Sequence, residues 1–216
     1  MKNKNSVINV IINVAVTIVC ICIVLVFFVD LPFLPSWSDI TGEQAEIDSV
    51  IDEVVFLDVG EGDATLIKSN GRYALIDTGD GNSYDVVNKL KRYGVKGLDA
   101  LILTHWHDDH IGEAIEILEE FPVLNLIIPD FPATSEDAFD NAIEIRNTAE
   151  ENDVSYYFAE QGLAINIGDF RLSVLYHNPE ESDENNRSII LMGKCRDKKF
   201  LFMADAETSL VSRGWA

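Results

Sequence analysis

With 216 residues the chain has room for one domain and some extras, and its formal net charge of −21 comes from 37 acidic against 16 basic residues. That excess repels phosphate backbones and counts against tight nucleic-acid binding unless metal ions or a local basic patch offset the field. Three cysteines, two of them in one apolar run, exclude a disulfide framework, and there are no repeats or low-complexity tracts.

Residues 1–6 include Lys2 and Lys4, and residues 7–29 contain no charged side chain. A run of that length crosses a bilayer as a helix. It exceeds the roughly 7–15 apolar residues of a signal peptide, and Asp30-Leu31-Pro32 follows it instead of a small-x-small cleavage site, so a single-span, uncleaved transmembrane anchor is expected. Lysines precede the run and acidic residues follow it, so the positive-inside bias places residues 1–6 in the cytoplasm and the remainder outside, at the cell membrane. Residues 30–52, with Pro32, Pro35 and Trp37, read as an acidic linker that turns partly helical towards its end. Residues 53–216 are expected to form one domain.

Within that domain, short β-rich runs predict strands over 54–58, 64–68, 73–77 and 98–103, with Asn70-Gly71 as a hairpin turn between the second and third. Residues 83–93 carry apolar Val86, Val87 and Leu90 at helical spacing and stop at Gly94, a glycine C-cap. Residues 111–120 and 136–152 predict two further helices and 125–128 a strand between them; strands over 155–159, 163–167, 170–176, 188–192 and 199–203 follow. The pattern indicates an α/β or α+β class, and because the strand-rich blocks on both sides of the helices are hairpin-like, it suits a layered sandwich better than a doubly wound sheet.

The chemistry concentrates in His105-Trp106-His107-Asp108-Asp109-His110, which directly follows the apolar strand ending at Leu103-Thr104 and holds three of the four histidines in the chain. His105 and His107 leave the strand two residues apart and project to one side, while Asp109 and His110 fall at the start of the next helix. Imidazoles and carboxylates are the ligands of borderline divalent metals, and two pairs on one loop can serve two adjacent ions: His105 with His107, and Asp109 with His110. A helix cap needs one carboxylate and does not need three imidazoles. Trp106, between two candidate ligands, should point away from them into packing. Asp205 ends an apolar strand, where a carboxylate is costly unless it is solvated, paired or on a metal. Asp58, Asp63 and Asp77 end or follow strands near the same rim and are candidates to orient ligand histidines from behind. His177, at a strand end, is a candidate third imidazole, although a lone histidine there is more often a surface residue.

The hexapeptide resembles the His-x-His-x-Asp-His motif of the metallo-β-lactamase fold. The stretches 55–64, Val-Phe-Leu-Asp-Val-Gly-Glu-Gly-Asp-Ala, and 74–79, Ala-Leu-Ile-Asp-Thr-Gly, are similar to the opening of the metallo-hydrolase domain at the C-terminus of ComEC-type DNA-uptake proteins and of their stand-alone relatives. Glu61 stands where that opening usually has glutamine. Downstream, Asn185-Asn186-Arg187-Ser188 and Met203-Ala204-Asp205 match the subgroup's Asn-x-Ser strand and its Gly-Asp strand end, with Ala204 in place of glycine. The likeness runs from about residue 53 to about 208.

The resemblance implies an αββα sandwich and a hydrolase using two divalent ions, zinc or manganese. The ligands it implies are His105, His107, Asp109, His110 and a bridging Asp205, with Asp109 also orienting the attacking hydroxide and Asn186 and Ser188 near ligand or substrate. It points to a phosphodiester such as DNA as substrate, with a cell-surface phosphoester as the alternative; the oligomeric state is not indicated. In the family, further elements after the Asp205 position supply a last histidine. Here eleven residues follow Asp205 and no histidine follows His177, so the expectation is a domain lacking its C-terminal part, with the second metal position one ligand short. The rival expectation is an inactive remnant or interaction module.

Overall fold

A computed structural model describes residues 16–17, 51–81, 85–130 and 136–207. The expected anchor lies outside the described residues except for helical Val16 and Thr17, as do the linker to residue 50 and everything beyond residue 207. Among the described residues no helix is long and apolar enough to cross a membrane.

Every described strand belongs to the unit Asp48–Ala216. Strands β1 (Glu53–Phe56), β2 (Thr65–Ser69), β3 (Arg72–Ile76), β4 (Ala100–Ile102), β5 (Asn125–Ile128) and β6 (Ser155–Phe158) form one sheet in sequence order. Strands β7 (Ala164–Ile167), β8 (Phe170–Tyr176), β9 (Ile190–Cys195) and β10 (Lys198–Phe202) form a second, antiparallel throughout. The hairpin between β2 and β3 turns at Asn70 and Gly71, with φ of 49° and 71°, the left-handed pair that a two-residue turn requires.

Alternation of side chains decides the layering. Leu66, Leu75, Leu101, Leu126 and Ile128 bury into one apolar cluster, and their neighbours Ile67, Ala74, Ile76, Ala100, Ile102 and Ile127 bury into another. The first cluster includes residues of helices α1 (Val86–Arg92), α3 (Ala114–Glu120) and α4 (Glu136–Glu151); the second includes Phe170, Leu172, Val174 and Leu191 of the second sheet. With both faces covered, the inner strands read as continuous apolar runs. Three layers of the expected four, helix, sheet and sheet, lie among the described residues.

Two expectations need correction. The first strand block is not hairpin-like throughout, because β3 to β6 pair in parallel, joined by helical crossovers that all pack on one face. The helix expected over 111–120 is split into α2 (Asp108–Ile111) and α3. At the break the Glu113 carboxylate turns away to accept the Val86 and Val87 N–H groups at 2.9 and 3.2 Å, satisfying the start of α1. The Gly112 N–H donates to the Gly79 carbonyl at 2.8 Å. α1 ends as expected: Val95 N–H reaches Leu90 O and Gly94 N–H reaches Lys91 O, both at 3.0 Å, the paired bonds of a glycine-terminated helix.

Candidate metal centre

The site lies where several strands stop on one rim. Asp77 and Thr78 follow β3, Thr104 and His105 follow β4, Asp63 precedes β2, Ser188 precedes β9 and Asp205 follows β10. The Ile189 N–H donates to the Thr104 carbonyl at 3.0 Å, which fastens the entry of β9 to the end of β4.

Asp77 organises the buried side of this rim. It is 1% exposed; Oδ1 accepts the Thr104 N–H at 2.8 Å, and Oδ2 accepts the Thr104 hydroxyl at 2.7 Å and the His110 Nδ1–H at 2.9 Å. Burial pushes the Asp77 carboxyl up, yet every group facing its oxygens is a donor, so the geometry supports the carboxylate. Because the Thr104 hydroxyl gives its proton to Asp77, its oxygen is left to accept from His105 Nδ1, 3.1 Å away, with the Ser188 hydroxyl at 3.4 Å. Both histidines therefore have their outer nitrogen occupied and turn Nε2 towards the rim, the arrangement that prepares an imidazole as a metal ligand.

On the rim side, His105 Nε2 lies 3.1 Å from His107 Nδ1 and 4.0 Å from Asp205 Oδ2. His110 Nε2 lies 3.3 Å from Asp205 Oδ1 and 3.7 Å from Asp109 Oδ2. Donor atoms of His105, His107 and Asp205 form one group within 4.8 Å, and those of Asp63, His110 and Asp205 form another. The two Asp205 oxygens thus face different sets. Burial first, and then the neighbouring His110 and His107, hold the His105 pKa down at about 2, which keeps its ring neutral. Burial also opposes charge on His110, but Asp77 by hydrogen bond and charge, with Asp205 and Asp109, outweighs it and raises the pKa to about 9. Ring nitrogens and carboxylates converging on one small volume suit a cation, so the donor set fits divalent metal.

Asp63 stands differently from its expected place behind a histidine, since its carboxylate is grouped with the donors themselves. Asp58 is exposed, and among the described residues no hydrogen bond ties it to a site histidine. Both ring nitrogens of His177 are occupied by backbone: Nε2 accepts the Asp130 N–H at 3.1 Å and Nδ1 faces the Arg187 carbonyl at 3.0 Å. It clamps two loops together and joins neither donor group. Asn186 accepts the Glu207 N–H at 3.0 Å and so braces the segment that carries Asp205. Trp106 is 2% exposed and belongs to the apolar cluster on the helical face. Sequence reasoning missed Thr104, whose position directly before His105 was a usable signal. It also missed buried Glu184, whose Oε2 lies 4.0 Å from His107 Nε2; nothing distinguishes it from the acidic residues around it.

Residues 57–209 match the family described as the metallo-beta-lactamase superfamily. The chain is 30% identical over 177 residues to ComE operon protein 3 of Bacillus subtilis (strain 168), covering 72% of this chain and 22% of that protein. It is 36% identical over 132 residues to Recombination protein 2 of Haemophilus influenzae, covering 58% of this chain and 14% of that protein. The chain therefore spans about a fifth or less of the length of these curated relatives. Among solved structures, the metallo-beta-lactamase fold protein YhfI from Bacillus subtilis aligns with a TM-score of 0.47 at 17% identity, over 72% of this chain and 60% of that one.

Proposed function

Because this chain belongs to the metallo-beta-lactamase superfamily, we propose that it is a metal-dependent hydrolase of phosphodiester bonds, held at the membrane by residues 7–29 with its catalytic domain outside the cell. The observation that carries the reading is the division of Asp205: one oxygen faces His105 and the other faces His110. A carboxylate so placed would bridge two ions, one with His105 and His107, the other with His110 and the neighbouring aspartates. When bound, such ions supply a water acidic enough to ionise near neutral pH and positive charge for phosphate oxygens.

The chain's own residues do the rest. Asp77 and Thr104 hold the two buried imidazoles in their ligand tautomers. Asp109, partly exposed beside His110, would orient the attacking water and take its proton as the new phosphorus–oxygen bond forms and the bond to the leaving oxygen breaks, the released oxygen taking up a proton from solvent. The phosphodiester assignment rests on the resemblance of residues 55–64, 74–79 and 185–188 to ComEC-type DNA-uptake proteins, together with the similarity to ComE operon protein 3 and Recombination protein 2. With a net charge of −21, the surface does not grip a polyanion, and phosphate would be drawn to the metals alone. DNA and cell-surface phosphodiesters are both substrates to assay. The full chain in detergent, loaded with manganese or zinc, should hydrolyse bis(p-nitrophenyl) phosphate, and Asp109→Ala should abolish that activity. Unchanged activity in Asp109→Ala contradicts the site assignment.

A further inference from the structure

We infer that Asp63 is a direct ligand of the second ion, which makes that position oxygen-rich and chemically unlike the first. The inference rests on the two-metal reading above and goes beyond it, since Asp63 was expected only to support a histidine.

The connection between β1 and β2 is too long for a tight hairpin, so something other than turn geometry must fix its path. Three backbone bonds do so. Leu57 N–H to Ala64 O at 2.9 Å closes its base, Asp63 N–H to Asp109 O at 3.3 Å ties it to the histidine loop, and Gly79 N–H to Asp63 O at 2.9 Å ties it to the segment after β3. Both backbone polar groups of Asp63 are therefore held by the two loops that carry Asp109, His110 and Asp77. The residue before it permits this closeness: Gly62 has φ of +98°, and a Cβ there would lie 2.0 Å from the Asp109 carbonyl oxygen. Only a residue without a side chain lets the two loops meet backbone to backbone.

The outcome is a carboxylate on a fixed stalk. Asp63 is exposed, so it contributes nothing to the apolar interior, yet it is grouped with His110 and Asp205 and points its charge at theirs. Carboxylates brought together in this way attract a cation, which relieves their mutual repulsion. An independent feature says where that cation sits. Buried His110 has its Nδ1 committed to Asp77, so its Nε2 faces the same carboxylates, Asp205 at 3.3 Å and Asp109 at 3.7 Å. The second position thus offers one imidazole among carboxylates, a set that suits a hard ion such as manganese, whereas the first offers two imidazoles and one carboxylate.

The test counts ions in the full chain in detergent after manganese loading, by mass spectrometry, with binding by calorimetry and the manganese electron paramagnetic resonance spectrum as further readouts. Wild type should hold two ions with the spectrum of a coupled pair. Asp63→Asn and Asp63→Ala should keep one ion, weaken the other by more than about tenfold and give the spectrum of an isolated ion. Glu61→Ala, on the same loop, should keep two, which separates ligand loss from loop damage. Two ions at wild-type affinity in both Asp63 variants overturn the assignment while leaving the two-metal reading intact. A wild-type chain that binds fewer than two ions overturns both.

Discussion

The carboxylate of Asp77 accepts the Nδ1–H of His110 at 2.9 Å, with both residues 1% exposed. Through the Thr104 hydroxyl, bonded to the same Oδ2, Asp77 also reaches His105. One buried carboxylate therefore sets the orientation of a ligand for each of the two donor groups.

Asp77→Asn keeps the size of the side chain but cannot accept on both sides in the same way, and it removes the charge behind His110. It is expected to lower divalent-metal affinity by about 10–100-fold. Asp77→Ala also strands buried donors on Thr104 and His110 and should destabilise the fold by about 3–5 kcal/mol. Metal titration and denaturant unfolding of the two variants check this; wild-type values for both contradict the role.

Gly62→Ala drives a methyl group into the Asp109 carbonyl and strains a left-handed backbone. The expected cost is about 1–3 kcal/mol in stability, together with weakened binding at the His110 position. Binding at the His105–His107 position should persist. Calorimetric titration resolves the two ions, and equal weakening of both contradicts a local effect.

Trp106 lies between two candidate ligands in sequence but is buried on the opposite side, with the cluster that includes Ile111, Ala114 and Ile117. Trp106→Ala should cost about 3–5 kcal/mol. Urea unfolding measures it, and a change within about 0.5 kcal/mol, as for a surface site, contradicts the packing role.

His177 accepts at Nε2 and faces a carbonyl at Nδ1, a combination open only to the neutral ring. Burial lowers its pKa, only partly offset by the Arg187 carbonyl and Asp130. The folded value is below the unfolded value of about 6.5, so the stability His177 contributes is complete above that pH and is lost as pH falls through the folded value. The stability advantage of wild type over His177→Gln should therefore shrink on acidification from about pH 7.5 to about pH 5. Unfolding midpoints at the two pH values check it, and an unchanged difference contradicts the clamp.

Local patterns carried much of this architecture. Runs such as Ala100–Ile102 and Asn125–Ile128 announce buried strands, and three histidines at a strand end announce a donor cluster. Relationships across distance did not show. The break between α2 and α3 depends on Glu113 capping a helix 27 residues earlier, and parallel pairing of β3 to β6 depends on where each crossover packs. The location of Asp63 depends on Gly62 resting against the Asp109 backbone, and the proximity of Glu184 to His107 on the fold of an acidic segment that reads as plain surface.

The most direct test of the whole account is the number of divalent ions bound per full chain, by mass spectrometry, in wild type and in Asp205→Ala. Wild type should hold two ions, and removal of the shared carboxylate should abolish tight binding at both positions. No tightly bound ion in wild type, or two retained in Asp205→Ala, would contradict it.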